Sequence, residues 1–158
     1  MRRKGHKGAP KRTRTIKKKR DSKMKKNYKF TDETKVVDGH TLHRIVAVND
    51  IPEHNVKAGD IGGWVEHFYN LSENAWVGEE ACVYGMARVR DEAHIYGSAH
   101  VSGKAWVSGS ARVGGDARVF DDAWVRGDAH IFGDAHVFGR ASVGRKEEIG
   151  GYADIFCA

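Results

Sequence analysis

One six-residue pattern repeats from Leu71 to the C-terminus, and it constrains the fold of this chain more than any other feature. An aliphatic residue stands at every sixth position, and alanine follows it four residues later. A period of six is a multiple of the two-residue period of a strand and does not fit the 3.6-residue period of a helix. The repeat therefore predicts short strands separated by corners. The aliphatic residues are Leu71, Val77, Val83, Val89, Ile95, Val101, Val107, Val113, Val119, Val125, Ile131, Val137, Val143, Ile149 and Ile155.

Each position of the repeat has a physical role. The aliphatic side chain must face inward, and its two neighbours must face outward. Two residues after the aliphatic, glycine or aspartate stands in ten consecutive units from Gly85 to Gly139. Both residues tolerate positive φ, which suits a corner. We therefore expect an all-β chain that winds into a single-stranded parallel β-solenoid, in which each coil buries its valines against the next.

The residue before each aliphatic indicates how many strands make one turn. In the middle of the repeat these residues are His-His-Trp, then Arg-Arg-Trp, then His-His again, so a period of eighteen is superimposed on the period of six. Three flat faces per turn follow, and residues eighteen apart lie over one another. About five triangular coils stacked at about 4.8 Å would make a rod about 24 Å long. The residues concerned are His94, His100, Trp106, Arg112, Arg118, Trp124, His130 and His136.

This repeat resembles the hexapeptide-repeat family, the left-handed parallel β-helix found in many bacterial acyltransferases. The left hand is implied by that resemblance. Upstream, the segments YKFTDETK, DGHTLHRI and VKAGDIGGW, leading into AWVGEEACVYG, resemble a group of phage and prophage hexapeptide-repeat proteins of unassigned function. The resemblance covers residues 28–158 and implies a bacterial host, without implying a particular chemistry.

Residues 28–70 differ from the repeat and are predicted to form a β cap. Asp38-Gly39 lies between two extended runs, which favours a hairpin because the tight turn needs positive φ. A second glycine-rich corner at residues 57–64 leads into the repeat. The end of a solenoid exposes unpaired backbone and valines, so it needs a cover. We expect Trp64 and Phe68 to lie over the first coil.

The N-terminal arm, residues 1–27, is strongly basic. Residues 1–29 hold fifteen of the 27 Lys and Arg with one acid, whereas the rest of the chain holds twelve bases and twenty acids, a net charge of −8. With so few apolar residues, the arm is predicted to be disordered. It could bind RNA or DNA phosphates without sequence specificity, be a dispensable extension, or precede a true start at Met24. The candidate nucleic-acid-binding residues are Arg12, Arg14, Lys17, Lys18, Lys19 and Arg20.

The C-terminal end departs from the repeat at one unit. Glu147 stands where alanine is expected, and residues 145–148 carry charge where a small inner residue belongs. We expect a bulging corner at residues 145–148 and an incomplete last coil that ends at Ala158. Another copy of the chain could cover that open edge.

The sequence predicts no catalytic residue, metal ligand or cofactor. A transferase dependent on acyl-coenzyme A is the alternative that the family resemblance implies, but no loop interrupts the repeat between Leu71 and Ser142. His94 and His130 stand two coils apart, about 9.6 Å, too far to share one zinc ion. Cys82 and Cys157 lie about four coils apart and are expected to be free thiols.

The outward residues point instead to binding surfaces. The first face carries Trp106 and Trp124 with arginines, and the second and third carry histidine, arginine and aromatic residues. Such exposed patches mark binding sites, and arginine and aromatic residues are enriched in interface cores. Stacked ladders that only stabilise a sheet are the simpler explanation. The predicted interface residues are Arg88, Trp106, Trp124 and Arg126 on the first face, His94, Arg112 and His130 on the second, and His100, Arg118, Phe120, His136 and Phe138 on the third.

The sequence thus favours a non-enzymatic, phage-type binding and assembly module. We expect it to form a homo-oligomer and to engage a host or phage macromolecule. The chain has neither the apolar core of a signal peptide nor an apolar run of about 18 residues, so we expect a protein of the bacterial cytoplasm with no membrane partner.

Overall fold

A computed structural model describes residues 26–72 and 74–158 of the protein. Over these residues the fold is all-β. Stacked parallel coils form a β-solenoid of about five turns, preceded by a small β cap. No helix among these residues has the length and apolarity that crossing a bilayer requires. The predicted fold class is confirmed.

The cap contains three strands, β1 (Tyr28–Val37), β2 (His40–Ala47) and β3 (Ile61–Val65), and residues 26–72 also include two short 3-10 helices, Pro52–His54 and Phe68–Asn70. The solenoid strands follow in chain order. They are β4 (Trp76–Val77), β5 (Cys82–Val83), β6 (Arg88–Val89), β7 (His94–Ile95), β8 (His100–Val101), β9 (Trp106–Val107), β10 (Arg112–Val113), β11 (Arg118–Val119), β12 (Trp124–Val125), β13 (His130–Ile131), β14 (His136–Gly139), β15 (Ser142–Val143), β16 (Glu148–Ile149) and β17 (Asp154–Cys157).

Strands eighteen residues apart pair in parallel and form the three predicted faces. The first face is the sheet β6–β9–β12–β15, and the second is β4–β7–β10–β13–β16. The third face runs β5–β8–β11–β14–β17 and continues through β3 into the cap hairpin. In each solenoid strand the aliphatic residue faces the interior, and Val101 is 0% exposed. The corners use positive φ as expected, including Asp91 and Asp121.

The cap closes the interior of the solenoid with residues other than those predicted. Asp38 and Gly39 form the expected hairpin turn, both with positive φ. Ile45 and Ile51 belong to the solenoid core cluster and are fully buried. Trp64 lies against the first coil as predicted, because β3 pairs in parallel with β5 and sets Trp64 in register with Cys82. The prediction for Phe68 is wrong, since its ring packs on the cap hairpin.

Trp64 and Phe68 occupy two separate outer positions. Trp64 is buried on the outer side of the sheet in a cluster with Leu42 and Tyr84. Phe68 is 52% exposed and stacks on Phe30, with ring centroids 4.5 Å apart. The two side chains therefore fasten the hairpin to the outside of the rod, while aliphatic residues close its interior.

Polar side chains anchor the cap to the first coil. The fully buried Asn70 donates from Nδ2 to the carbonyl oxygens of Gly85 and Ala87, at 3.2 and 2.8 Å. Glu66 accepts a hydrogen bond from the Gly85 amide and contacts Nδ1 of His40 at 3.0 Å. Burial acts to raise the pKa of Glu66, but these hydrogen bonds outweigh it and lower the pKa below its usual range. Lys26, which the sequence places in the arm, donates to two backbone carbonyls near this site.

The C-terminal end is more regular than predicted. Arg145 takes the corner position with φ of 55°, as Asp121 does with φ of 60°. Strand β16 then begins eighteen residues after β13 and pairs with it in register. The expected bulging corner at residues 145–148 is therefore wrong. A positive-φ corner tolerates arginine here because its side chain points to solvent. Beyond it, β17 pairs with β14 and ends the described chain.

Candidate functional site

The first face presents two stacked tryptophans. Trp106 and Trp124 pair in register, and their ring centroids are 5.7 Å apart with planes 14° from parallel. Trp124 is 47% exposed. The rings stack because parallel strands spaced about 4.8 Å apart place outward residues of successive coils over one another. The result is a flat aromatic surface.

Arginines flank both tryptophans. The guanidinium carbons of Arg90 and Arg126 lie 5.7 and 5.9 Å from the ring centroids of Trp106 and Trp124, within cation–π range. Arg88 lies over the ring of Tyr69. Between residues 88 and 144, which the structure describes in full, the outward residues of the first face include no acid. This face is therefore aromatic and positively charged.

The second face carries an in-register ladder of His94, Arg112 and His130. Beside the ladder, the ring of Tyr96 lies across Gly114 so closely that any Cβ there would overlap it. The Tyr96 hydroxyl and Nε2 of His130 share a hydrogen bond of 2.7 Å. Tyr96 therefore covers the space next to Arg112.

The cap also covers part of the second face. The ring of His54 packs against His94, with centroids 4.8 Å apart. Burial lowers the pKa of His94 to about 4, and the nearby His54 and Arg112 act in the same direction. His94 is therefore neutral at pH 7 and offers less free surface than an exposed face position would.

The third face carries the equivalent ladder of His100, Arg118 and His136. Phe120 and Phe138 stack beside it, with ring centroids 5.0 Å apart and planes 3° from parallel. Unlike the second face, this face is open next to its arginine. A groove with a volume of about 620 Å³ lies between Phe120 and the cap.

The wall of that groove comes from the cap and the first coil. The Tyr84 hydroxyl donates a 2.7 Å hydrogen bond to Oδ2 of Asp38 in the hairpin turn. Burial raises the pKa of Tyr84 to about 12, and the Asp38 carboxylate adds to the effect. Tyr84 is only 5% exposed, so its position is fixed.

Catalytic geometry is sparse among the described residues. On the solenoid part of the third face, Nδ1 of His136 and Oδ1 of Asp154 lie 3.3 Å apart, and both side chains are exposed. Within residues 26–72 and 74–158, no group of three His, Cys, Asp or Glu side chains is arranged to hold a metal ion. Cys82 and Cys157 are free thiols, as predicted, the first buried and the second exposed.

The structure sorts the predicted interface residues by face as the period of eighteen requires. The two ladders and the tryptophan stack are confirmed as geometry, while their role as an interface stays a prediction. The proposed nucleic-acid-binding residues Arg12, Arg14, Lys17, Lys18, Lys19 and Arg20 lie outside the described residues. Sequence reasoning missed His54 and Asp38, because only the folded cap brings them to the solenoid faces.

Comparison with models of known protein families gives no match, and comparison with curated proteins gives none either.

Proposed function

We propose that this protein is a non-enzymatic, phage-type binding and assembly module. It self-associates through the faces of its solenoid and engages a host or phage macromolecule. The observation that carries the proposal is the stacked pair of Trp106 and Trp124 on the first face, flanked by Arg90 and Arg126. Tryptophan and arginine are the residues most enriched among those that dominate binding energy at interfaces.

The shape of the first face supports this role. Its side chains stand on two-residue strands locked into a parallel sheet, so little conformational entropy remains to be lost on binding. Stacking between Trp106 and Trp124 restricts the rings further. A flat, pre-ordered aromatic surface of this kind suits another rigid surface better than a small molecule.

Charge favours contact between unlike surfaces. Packing the first face of one copy on that of another would oppose arginines across the contact, which is unfavourable. The edge between the second and third faces carries Glu79, Asp116 and Asp134 on three of four coils, the remaining coil having Gly97 and Ser98 there. Self-association that sets the first face against this acidic edge pairs opposite charges, and an acidic partner protein fits the first face for the same reason.

Light scattering after size exclusion tests the self-association. The native chain is expected to have the mass of an oligomer, and Trp124→Glu is expected to reduce it to one chain while the circular dichroism spectrum stays unchanged. Val36→Glu is the matched control, since Val36 is a 69% exposed apolar residue of the cap. It should leave the mass of the assembly unaltered. A native chain that is monomeric at every concentration would refute the assembly role.

The alternative function, an acyl-coenzyme A-dependent transferase, is favoured only by His136 and Asp154. Their 3.3 Å contact beside the third-face groove provides a base and a partner that could orient it. Titrating the same samples with acetyl-coenzyme A in a thermal-shift assay separates the two functions. The binding module is expected to show no saturable shift, and a saturable shift would favour the transferase.

A further inference from the structure

The third face contains an aromatic column with one gap. The residue directly after each aliphatic residue of the third face points outward. On successive coils this residue is aromatic, except at Ser102. Phe120 stacks on Phe138 at 5.0 Å, and Phe138 on Phe156 at 5.0 Å. The column consists of Tyr84, Ser102, Phe120, Phe138 and Phe156.

The gap has the dimensions of one inserted ring. Tyr84 and Phe120 stand two coils apart, about 9.6 Å between their strand positions. The Tyr84 hydroxyl contacts Ser102 and His100 on the intervening coil, so an inserted ring would stack on Phe120 and lie beside Tyr84. Stacked aromatic pairs have centroids about 4.5–7 Å apart. Among the described residues, Phe120 stacks on a phenylalanine only on the side of Phe138. The side toward Ser102 opens into the groove of about 620 Å³, a size typical of small-molecule sites.

An arginine without an ion-pair partner lines the same groove. Among residues 26–72 and 74–158, no carboxylate lies within salt-bridge distance of Arg118. It stands in register between His100 and His136, and stacking such groups is unfavourable when they carry like charges. Burial lowers the pKa of His100, and the positive charge of Arg118 acts in the same direction. Arg118 is thus a guanidinium that an anion entering the groove could pair with.

Two carboxylates also line the groove, and each already has a partner. Asp38 accepts the hydrogen bond from Tyr84. Asp121 accepts a 3.0 Å hydrogen bond from the Gly139 amide across the corner. Their charges disfavour a ligand with several anionic groups, and they leave the guanidinium of Arg118 as the group that can recognise a single one.

We propose that the gap at Ser102 is a binding site for a small planar aromatic ring that carries one anionic group. The ring takes the place of the missing aromatic side chain and stacks on Phe120, and the anionic group pairs with Arg118. Aromatic carboxylates and nucleoside monophosphates share this chemistry. The site is independent of the first face, so it stands whether or not the protein self-associates.

Nuclear magnetic resonance titration of the full chain tests the site. The probes are indole-3-acetate, adenosine monophosphate, uncharged adenosine and inorganic phosphate, and the backbone amides of Ser102, Gly103 and Phe120 are followed. Saturable shifts with either or both of the first two probes are expected, and they distinguish the carboxylate source from the nucleotide source. Adenosine and phosphate alone are expected to bind at least tenfold more weakly, since each lacks one of the two contacts.

Three variants make the result specific. Phe120→Leu and Arg118→Gln are each expected to weaken binding by roughly tenfold, through loss of the stack and of the charge pair respectively. Ser102→Phe is expected to abolish binding by completing the aromatic column, while leaving the melting temperature equal to or above that of the native chain. Phe138→Leu is the matched control in the same column, one coil beyond the site, and should retain binding. Absence of saturable shifts with both charged aromatic probes, or equal binding by Ser102→Phe, would overturn the proposal.

Discussion

The second and third faces carry the same ladder but differ in the column beside it. Both place histidine, arginine and histidine on successive coils. The ladder is His94, Arg112 and His130 on the second face, and His100, Arg118 and His136 on the third. On the second face, the neighbouring column alternates glycine with an aromatic residue. On the third face, it holds stacked rings with one gap. The ladder alone therefore does not decide whether a face is open.

The alternation closes the second face because each ring lies on the glycine of the next coil. Tyr96 lies over Gly114, and Phe132 lies over Gly150 in the same way. Rings packed on glycine fill the space that a side chain would leave empty. On the third face each stacked ring meets another ring of equal size, so omission of one ring, at Ser102, leaves a space that its neighbours do not fill. Whether a face is closed therefore depends on the relative sizes of the outward side chains that stand eighteen residues apart.

The largest effect is expected from filling the glycine beneath Tyr96. Gly114→Val would place a side chain inside the Tyr96 ring, which must then leave its site. Overpacking of this kind, together with loss of the Tyr96–His130 hydrogen bond, is expected to lower the free energy of unfolding by about 3 kcal/mol. Urea denaturation monitored by circular dichroism measures this loss of stability.

Gly144→Val provides the matched control on the first face. The nearest atoms to a Cβ at Gly144 belong to the Arg126 side chain at 3.5 Å, an ordinary contact. Since valine favours strands, the control is expected to change stability by less than about 0.5 kcal/mol. Equal losses from the two variants would contradict the view that aromatic coverage makes the second face distinct.

The next largest effect is expected from lowering the pH, which should reduce the free energy of unfolding through His94 on the second face. The pKa of His94 is about 4 in the folded chain and 6.5 in the unfolded chain, so the unfolded state binds its proton first. Stability is therefore complete above pH 6.5, falls as the pH drops from 6.5 toward 4, and levels off below that. The loss attributable to His94 is on the order of 2 kcal/mol. Urea midpoints at a series of pH values measure the loss.

His94→Gln isolates this contribution. Glutamine has no proton to gain in this range, so the variant is expected to lose stability less steeply between pH 6.5 and 4 than the native chain. Burial also lowers the pKa of His54 and of His100, and both residues contribute to the remaining slope in the same direction. An unchanged slope in His94→Gln would show that burial beneath the cap does not hold His94 neutral.

Much of this comparison could be predicted from the repeat. A strict period of eighteen places residues over one another regardless of other contacts, so the ladders and the Trp106–Trp124 stack follow from sequence. The cap could not be predicted to the same degree. His54 reaches His94, and Asp38 reaches Tyr84, only because the cap folds back on the rod.

The sequence predicts the wrong local structure at two places. The glycine-rich segment predicts a corner, but Gly62 and Gly63 lie within β3, where a Cβ would meet the first coil at 2.7 and 2.6 Å. Glu147 in the place of alanine predicts a bulge, but its side chain is exposed and accepts a 2.7 Å hydrogen bond from the Gly144 amide. Periodicity encodes neither of these local contacts.

The smallest effect concerns the hydrogen bond that holds the cover of the second face. Tyr96→Phe keeps the ring over Gly114 but removes the hydroxyl that contacts Nε2 of His130 at 2.7 Å. The expected loss is about 0.5–1 kcal/mol, because both partners are partly exposed and water can replace the bond. A double-mutant cycle with His130→Gln should show a coupling of about 0.5 kcal/mol or more. Strict additivity would mean that ring packing on glycine alone closes the second face, whereas coupling assigns part of that closure to the ladder itself.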